Sequence, residues 1–291
     1  MYRLFWLATI LVPRLPRGFV RLLSSVIGWV AWMVVRKARK QAVINIAHVL
    51  GKDVLQTRAG RKRLRLSVRK MFQYSARNYL ESFYLPGMTA EMVTKSMKIA
   101  GEEHLKAALA KGKGVLLFSA HVGPFESLSQ WLAINGYQLT IPVEPLKDQR
   151  MLDLMLNVRR SHGVEYVPLT GVSTVRSIMQ SLRANKVILL TSDRAIIGQS
   201  VDLPFFDAPA RLPAGLATLA QRTGAALVGA FGWRTHGAQI EGEFVPLSLA
   251  LSEEQQADTD ILMRGIIETT ERFIGAHPEQ WVVFAPVWID V

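Results

Sequence analysis

From residue 97 onward, short apolar runs alternate with longer segments of helical periodicity. Residues 115–118, 139–143, 164–168, 187–191 and 225–231 are dominated by Val, Ile, Leu, Ala and Phe and read as strands. Near-continuous rather than alternating apolar character marks strands covered on both faces. Residues 125–134, 147–161, 172–184 and 213–223 separate them with helix-like spacing. Strands that alternate with helices form a largely parallel sheet with helices on both sides, so an α/β fold is expected. Residues 238–247 read as a further strand, 257–275 as an amphipathic helix and 281–284 as a last buried strand.

The pattern before residue 97 is different. Residues 2–35 are rich in Leu, Val, Ile, Phe and Trp, but Arg3, Arg14, Arg17 and Arg21 interrupt them and Pro13 and Pro16 divide them. The longest uncharged run, 22–35, is shorter than the roughly 20 residues of a spanning helix. It ends in Arg-Lys-Ala-Arg-Lys at 36–40, and the first apolar run meets Pro13 and Arg14 with no small-residue cleavage pattern of a secretory signal. Trp6, Trp29 and Trp32 among flanking arginines suit two helices lying in a membrane interface, with a single pass through the membrane as the alternative. A second basic run, with Arg61, Lys62, Arg63, Arg65, Arg69 and Lys70, sits on a helix-like segment continuing to Tyr84. The expected organisation is a membrane-associating anchor over 1–40, a helical region over 41–96 and an α/β core over 97–291. The soft boundary falls near 85–96, at Pro86 and Gly87.

Composition narrows the chemistry. The 291 residues are 49% hydrophobic, which argues against disorder, and zero cysteines exclude disulfides, thiolate metal sites and a cysteine nucleophile. The histidines show no metal-ligand spacing, so no metal is expected, and there is no Gly-x-Ser-x-Gly elbow or nucleotide-binding glycine fingerprint. A formal charge of +12 calls for an anionic partner. Without a recognised nucleic-acid module, and beside an apolar anchor, the basic runs point to membrane lipids rather than nucleic acid.

His121 is the leading candidate for chemistry. It follows the 115–118 strand at its carboxyl end, where open α/β sheets bind ligands, and Glu126 lies in the first turn of the next helix. A carboxylate on one ring nitrogen fixes the tautomer and leaves the other nitrogen to take a proton from a hydroxyl, so Glu126 is expected to orient His121. Spacing alone is not specific, because His48 precedes Asp53 and His236 precedes Glu241 by the same interval. Context sets His121 apart, since His48 ends a helix-like segment and His236 occupies a Thr-His-Gly turn. Ser192, Asp193 and Arg194 end the 187–191 strand, on the same edge as His121 if the two strands are parallel. Arg194 and Arg211 are candidates to hold a phosphate, with the helix after Pro213 offering its amino terminus; alternatively Asp193 and Arg194 pair with each other. Arg159 and Arg160, ahead of His162 and Gly163, read equally as site residues or as a solvated face.

These residues carry a resemblance across nearly the whole chain. The apolar amino terminus leads into Arg-Lys-Ala-Arg-Lys-Gln-Ala-Val-Ile-Asn-Ile. It is followed by His-x-x-x-x-Glu at 121–126, Arg159 ahead of Gly163, and Ser-Asp-Arg at 192–194. Phe-Phe-Asp-Ala-Pro-Ala-Arg-Leu-Pro-Ala-Gly at 205–215, Leu-Ala-Gln-Arg-Thr-Gly-Ala-Ala-Leu-Val at 219–228 and His-Pro-Glu-Gln-Trp at 277–281 complete the set. In this order they resemble the lipid A late acyltransferase and phosphatidylinositol mannoside acyltransferase family, a branch of the lysophospholipid acyltransferases.

The resemblance implies a glycerolipid acyltransferase-like fold and a membrane-bound enzyme of the cytoplasmic face. Its reaction would move a fatty acyl group from acyl-CoA or acyl carrier protein, as co-substrate and without other cofactor, to a lipid or glycolipid hydroxyl. By matching position, His121 and Glu126 would be the catalytic pair, and Arg159, Asp193 and Arg194 would complete the site. The acceptor alkoxide would attack the thioester directly, without an acyl-enzyme. Ala195, where the mannoside branch often has an acid, and an ending without the Arg-Trp-Lys-like pattern of the lipid A branch are departures. The alternatives are a catalytically silent lipid-binding protein on the same fold and a basic membrane-surface protein.

Overall fold

A computed structural model describes residues 2–169, 171–195, 199–235, 239–247 and 258–289. Four helices come first, α1 (Tyr2–Leu11), α2 (Arg17–Val34), α3 (Arg36–Leu50) and α4 (Arg58–Ser82). The core follows as α5 (Ala90–Ser96), β1 (Met97–Ala100), α6 (Glu102–Leu109), β2 (Val115–Ser119), α7 (Phe125–Ile134), β3 (Leu139–Val143), α8 (Gln149–Arg159) and β4 (Glu165–Pro168). It continues with α9 (Val172–Arg183), β5 (Val187–Thr191), β6 (Ser200–Phe205), β7 (Ala208–Pro213), α10 (Gly215–Thr223), β8 (Ala226–Arg234), β9 (Ile240–Pro246) and α11 (Thr259–Ala276).

Among the described residues the main sheet has the order β1-β9-β8-β2-β5-β3-β4. Every neighbouring pair runs parallel except β8 and β9, so the expected α/β fold with a mostly parallel, helix-flanked sheet is what the chain adopts. β2 lies in the middle with every residue buried, as its uninterrupted Val-Leu-Leu-Phe requires. Leu116 and Phe118 face one core layer, with residues of α4, α9, α10 and α11, and Val115 and Leu117 face the other, with residues of α6, α7 and α8.

The structure corrects the pattern in places. Residues 281–284 form no strand of the sheet; the chain passes from a 3₁₀ turn at Pro278–Gln280 into an extended segment held by isolated bridges, Val122 to Trp281 and Ala210 to Trp288. β6 and β7 form a separate antiparallel hairpin, with Pro204 opposite Pro209, in a stretch that reads as loop. A two-stranded ribbon has only edges and therefore tolerates prolines. Positions 238 and 257, the first residues of the expected 238–247 strand and 257–275 helix, lie outside the described residues, as does His236.

The apolar amino terminus is two helices broken at Pro13 and Pro16, as its sequence requires. α2 turns Val20, Ser24 and Gly28, four residues apart, into the molecule. It packs there on α4, and a Cβ on Gly28 would sit 2.4 Å from the Cα of Gln73. Phe19, Leu22, Val26, Trp29, Val30 and Met33 stay exposed on the other side. By length and composition alone α2 is able to cross a membrane. Gly28→Val is expected to push α2 off α4 and destabilise the fold by about 1–3 kcal/mol. Denaturant unfolding checks this, and an unchanged midpoint and slope would show that the close approach is not needed.

Candidate active site

β2 and β5 are parallel neighbours in a register that pairs Ser119 with Thr191. Two residues beyond that pair, at the carboxyl edge of the sheet, stand His121 and Asp193. The Ser192 N–H and hydroxyl both donate to the Ser119 carbonyl, at 2.8 and 3.0 Å, and carry the pairing one step past the strands. The two side chains meet as a result. His121 Nδ1 lies 3.0 Å from Asp193 Oδ1 and 3.2 Å from Oδ2, and the His121 backbone N–H donates to Oδ2 at 2.8 Å. Trp281 Nε1–H donates to the same Oδ2 at 2.7 Å.

Asp193 is fully buried, whereas the His121 side chain keeps 24% of its surface exposed. A carboxylate that accepts three donors favours the Nδ1–H tautomer of the imidazole and leaves Nε2 as an acceptor. Among the described residues Nε2 has no protein partner. Burial pushes the imidazole down, but the charge and hydrogen bond of Asp193 outweigh it, so the His121 pKa lies above its ordinary 6.5. Burial likewise disfavours the Asp193 carboxylate, and His121 and Trp281 reverse the balance to hold it below the usual carboxylate range.

The loop that carries His121 passes close to the end of β8. Gly123 has φ +59°, and a Cβ there would lie 2.3 Å from the Gly232 carbonyl oxygen. Only glycine fits both the left-handed backbone and the space. Phe125 sets its ring edge-on to the imidazole, with centroids 5.7 Å apart.

Glu126 does not make the bond to His121 that its position suggests. Buried in the first turn of α7, it accepts from Arg159 Nη2 at 2.6 Å, across to the carboxyl end of α8. The register of β2 and β5 has already placed Asp193 on the imidazole, and Glu126 acts on it only as a smaller, more distant charge that raises its pKa. Arg159 is held in turn by Gln130, one helical turn beyond Glu126, whose side-chain amide donates to the Arg159 carbonyl at 2.8 Å. Gln130 Oε1 also receives Ser161 Oγ–H and lies 3.0 Å from His162 Nδ1. Burial works against the Arg159 guanidinium, yet Glu126 more than restores its charged form. Arg159 lines a narrow, largely apolar crevice with Phe5 of α1, Tyr79 of α4, Phe83 just beyond it, and Met155 and Val158 of α8.

Of the expected site residues, the fold therefore brings together His121 with Asp193 and Glu126 with Arg159. Arg194 follows directly, pairs with Glu144 at 3.3 Å rather than with Asp193, and its charge acts on His121. Arg211 lies on β7, exposed and paired with Asp202 at 2.9 Å, so it and Arg194 reach different carboxylates rather than one shared anion. Trp281 is the residue that sequence reasoning places in a strand and not in the site; its only signal is the His-Pro-Glu-Gln-Trp block. His48, a structural histidine by its context, stacks on Trp288 at 4.1 Å between ring centroids. Among the described residues no group of acidic or histidine side chains is arranged to hold a metal.

Comparison with known proteins shows the family to which the chain belongs. The sequence profile of the family described as bacterial lipid A biosynthesis acyltransferase matches residues 1–289. The phosphatidylinositol mannoside acyltransferase of Mycobacterium tuberculosis (strain CDC 1551 / Oshkosh) is 28% identical over 302 aligned residues, covering 96% of this chain and 93% of that protein. The enzyme of the same name from Mycolicibacterium smegmatis is 28% identical over 217, covering 74% and 69%. With the family profile spanning nearly its full length, the chain belongs to the bacterial lipid A biosynthesis acyltransferase family and is an acyltransferase.

Proposed function

We propose that this acyltransferase moves a fatty acyl group from an acyl thioester, acyl-CoA or acyl carrier protein, to a hydroxyl of a glycolipid. The observation that carries the reading is the imidazole of His121. Its Nδ1 is committed to a buried carboxylate and, among the described residues, its Nε2 has no protein partner, at the edge of the sheet where substrates bind. Nε2 takes the proton from the acceptor hydroxyl, the oxygen attacks the thioester carbon, and the tetrahedral intermediate collapses with loss of the thiolate, which the imidazolium reprotonates. No enzyme nucleophile is needed, in keeping with a chain without cysteine.

Glu126, paired with Arg159, adds its charge at the imidazole. Phe5, Phe83 and Val158 beside Arg159 offer an apolar surface to the methylenes of the acyl chain. Arg194, partly exposed beside the imidazole, offers charge to a phosphate of the donor. A glycolipid acceptor is favoured by the names of the relatives.

Membrane association is part of the same proposal. The exposed apolar sides of α1 and α2 adjoin the basic residues that open α3 and α4, a combination that suits an anionic lipid surface. Removing residues 1–35 is expected to release the protein from vesicles containing anionic lipid in a flotation assay. Undiminished co-flotation would contradict the assignment.

The reaction is tested by incubating the purified protein with native membranes and isotope-labelled acyl-CoA or acyl carrier protein, followed by lipid mass spectrometry. Label in one glycolipid with one of the donors supports the proposal and identifies both substrates. Label in no lipid with either donor would overturn it in favour of a silent lipid-binding protein.

A further inference from the structure

The backbone of the His121 loop is tied down at each end. His121 N–H is held by Asp193, its carbonyl accepts from the Val282 N–H at 2.9 Å, and the Gly123 N–H donates to the Gln280 carbonyl at 3.0 Å. The Gly123 carbonyl accepts from a side chain of the amino-terminal helical region, Asn78 near the end of α4, whose Nδ2–H donates to it at 2.9 Å. Asn78 is itself fixed. Arg234, at the end of β8, donates from Nη1 to Asn78 Oδ1 at 2.7 Å, so the amide can present only its NH₂ to Gly123.

Arg234 is 5% exposed, and its other terminal nitrogen, Nη2, donates to Glu81 Oε2 at 2.6 Å. The backbone of Arg234 exchanges hydrogen bonds of 2.8 and 2.9 Å with the side chain of Gln280, the residue whose carbonyl holds Gly123. Burial pushes the guanidinium below its ordinary value, and Glu81 counters this only in part. Its Nε–H has no partner among the described residues. Replacing such a buried ion pair with apolar side chains of similar volume is often neutral or stabilising, so stability gives little reason for it here.

We propose that Asn78, oriented by the Arg234–Glu81 pair, is a positioning residue for acyl transfer, which holds the Gly123 carbonyl so that His121 stays in register with Asp193 and the acceptor hydroxyl. The site is then incomplete without α4, the helix on which α2 packs. The proposal rests on the reading of His121 as the general base.

Asn78→Asp separates positioning from folding. The carboxylate keeps an acceptor for Arg234 but has no donor for Gly123. Its kcat is expected to fall by about tenfold to 100-fold, the scale of a small misplacement of reacting groups. KM for the donor is expected to hold within about twofold, because the loss falls on a step after binding. The acid limb of the pH profile is expected to move to lower pH as the imidazole loses part of its bond to Asp193. Asn78→Gln keeps both an acceptor and a donor and is expected to recover activity above Asn78→Ala, with the wild-type pH profile, which carries the test if Asn78→Asp does not fold. Wild-type kcat and pH profile in Asn78→Asp, or equal activity of Asn78→Gln and Asn78→Ala, would overturn the proposal. An inactive His121→Ala alongside such results would leave the general-base reading standing; an active His121→Ala would remove that reading itself.

Discussion

His121→Ala is expected to lower kcat for acyl transfer by about 1,000-fold, within the range that a positioned general base supplies. Among the described residues nothing else at the carboxyl edge of β2 and β5 replaces it. Glu126 is engaged by Arg159 and Asp193 lies buried under the imidazole. The fold should survive the change, because Asp193 keeps its hydrogen bonds from the His121 backbone N–H and from Trp281. Losing one donor to a buried carboxylate costs about 1–3 kcal/mol. Single-turnover transfer from a labelled thioester, with vesicle binding and unfolding measured in parallel, checks the prediction. A variant that binds vesicles and transfers acyl groups at the wild-type rate would exclude the imidazole as the base.

Asp193→Asn should be nearly as damaging, at about 100-fold or more in kcat, for a reason that can be read from the hydrogen bonds. Oδ2 accepts two donors, the His121 backbone N–H and Trp281 Nε1–H, while Oδ1 makes the shorter contact with Nδ1. An asparagine places its single acceptor where the two donors are, and its NH₂ then faces Nδ1. The imidazole has to turn over its tautomer, with the proton on Nε2, the nitrogen that must be empty to accept one from the hydroxyl. Asp193→Glu or a variant of Trp281 would disturb packing as well as protonation; the asparagine changes little but the donor pattern. Retained activity in Asp193→Asn would mean that some other contact sets the tautomer.

The sheet was legible because its strands are short, apolar and separated by helices, and β2, β3, β5 and β8 fall close to the runs that mark them. His121 was legible for the same reason, since it follows the most buried strand. Its partner was harder to see. The carboxylate nearest in sequence is Glu126, but the strand order β2-β5-β3-β4 brings β5 beside β2 across two intervening strands in the chain, and with it Asp193, 72 residues away. Shared position at one sheet edge was readable, whereas adjacency depends on strand order, which local pattern does not encode.

The same holds for Trp281, whose continuous apolar run at 281–284 reads as a buried strand although the segment pairs with the His121 loop through one bridge only. Asn78 and Arg234 escaped notice because a single asparagine on a basic helix and an arginine ending a strand have no signature of their own. They meet across 156 residues of sequence. The hairpin of β6 and β7 was hidden by its prolines, which a two-stranded ribbon admits and a central strand does not.

The His121–Asp193 couple is tested most directly by the pH dependence of single-turnover acyl transfer in wild type and Asp193→Asn. A general base works only when neutral, so the wild-type rate should fall about tenfold per pH unit below the imidazole pKa. That limb should lie above pH 6.5, because Asp193 raises the His121 pKa. With the carboxylate gone, burial is left to push the pKa down, so the limb of Asp193→Asn should move to lower pH beneath a much reduced plateau. Superimposable limbs in the two proteins, or a wild-type rate that does not fall with acid, would contradict the account.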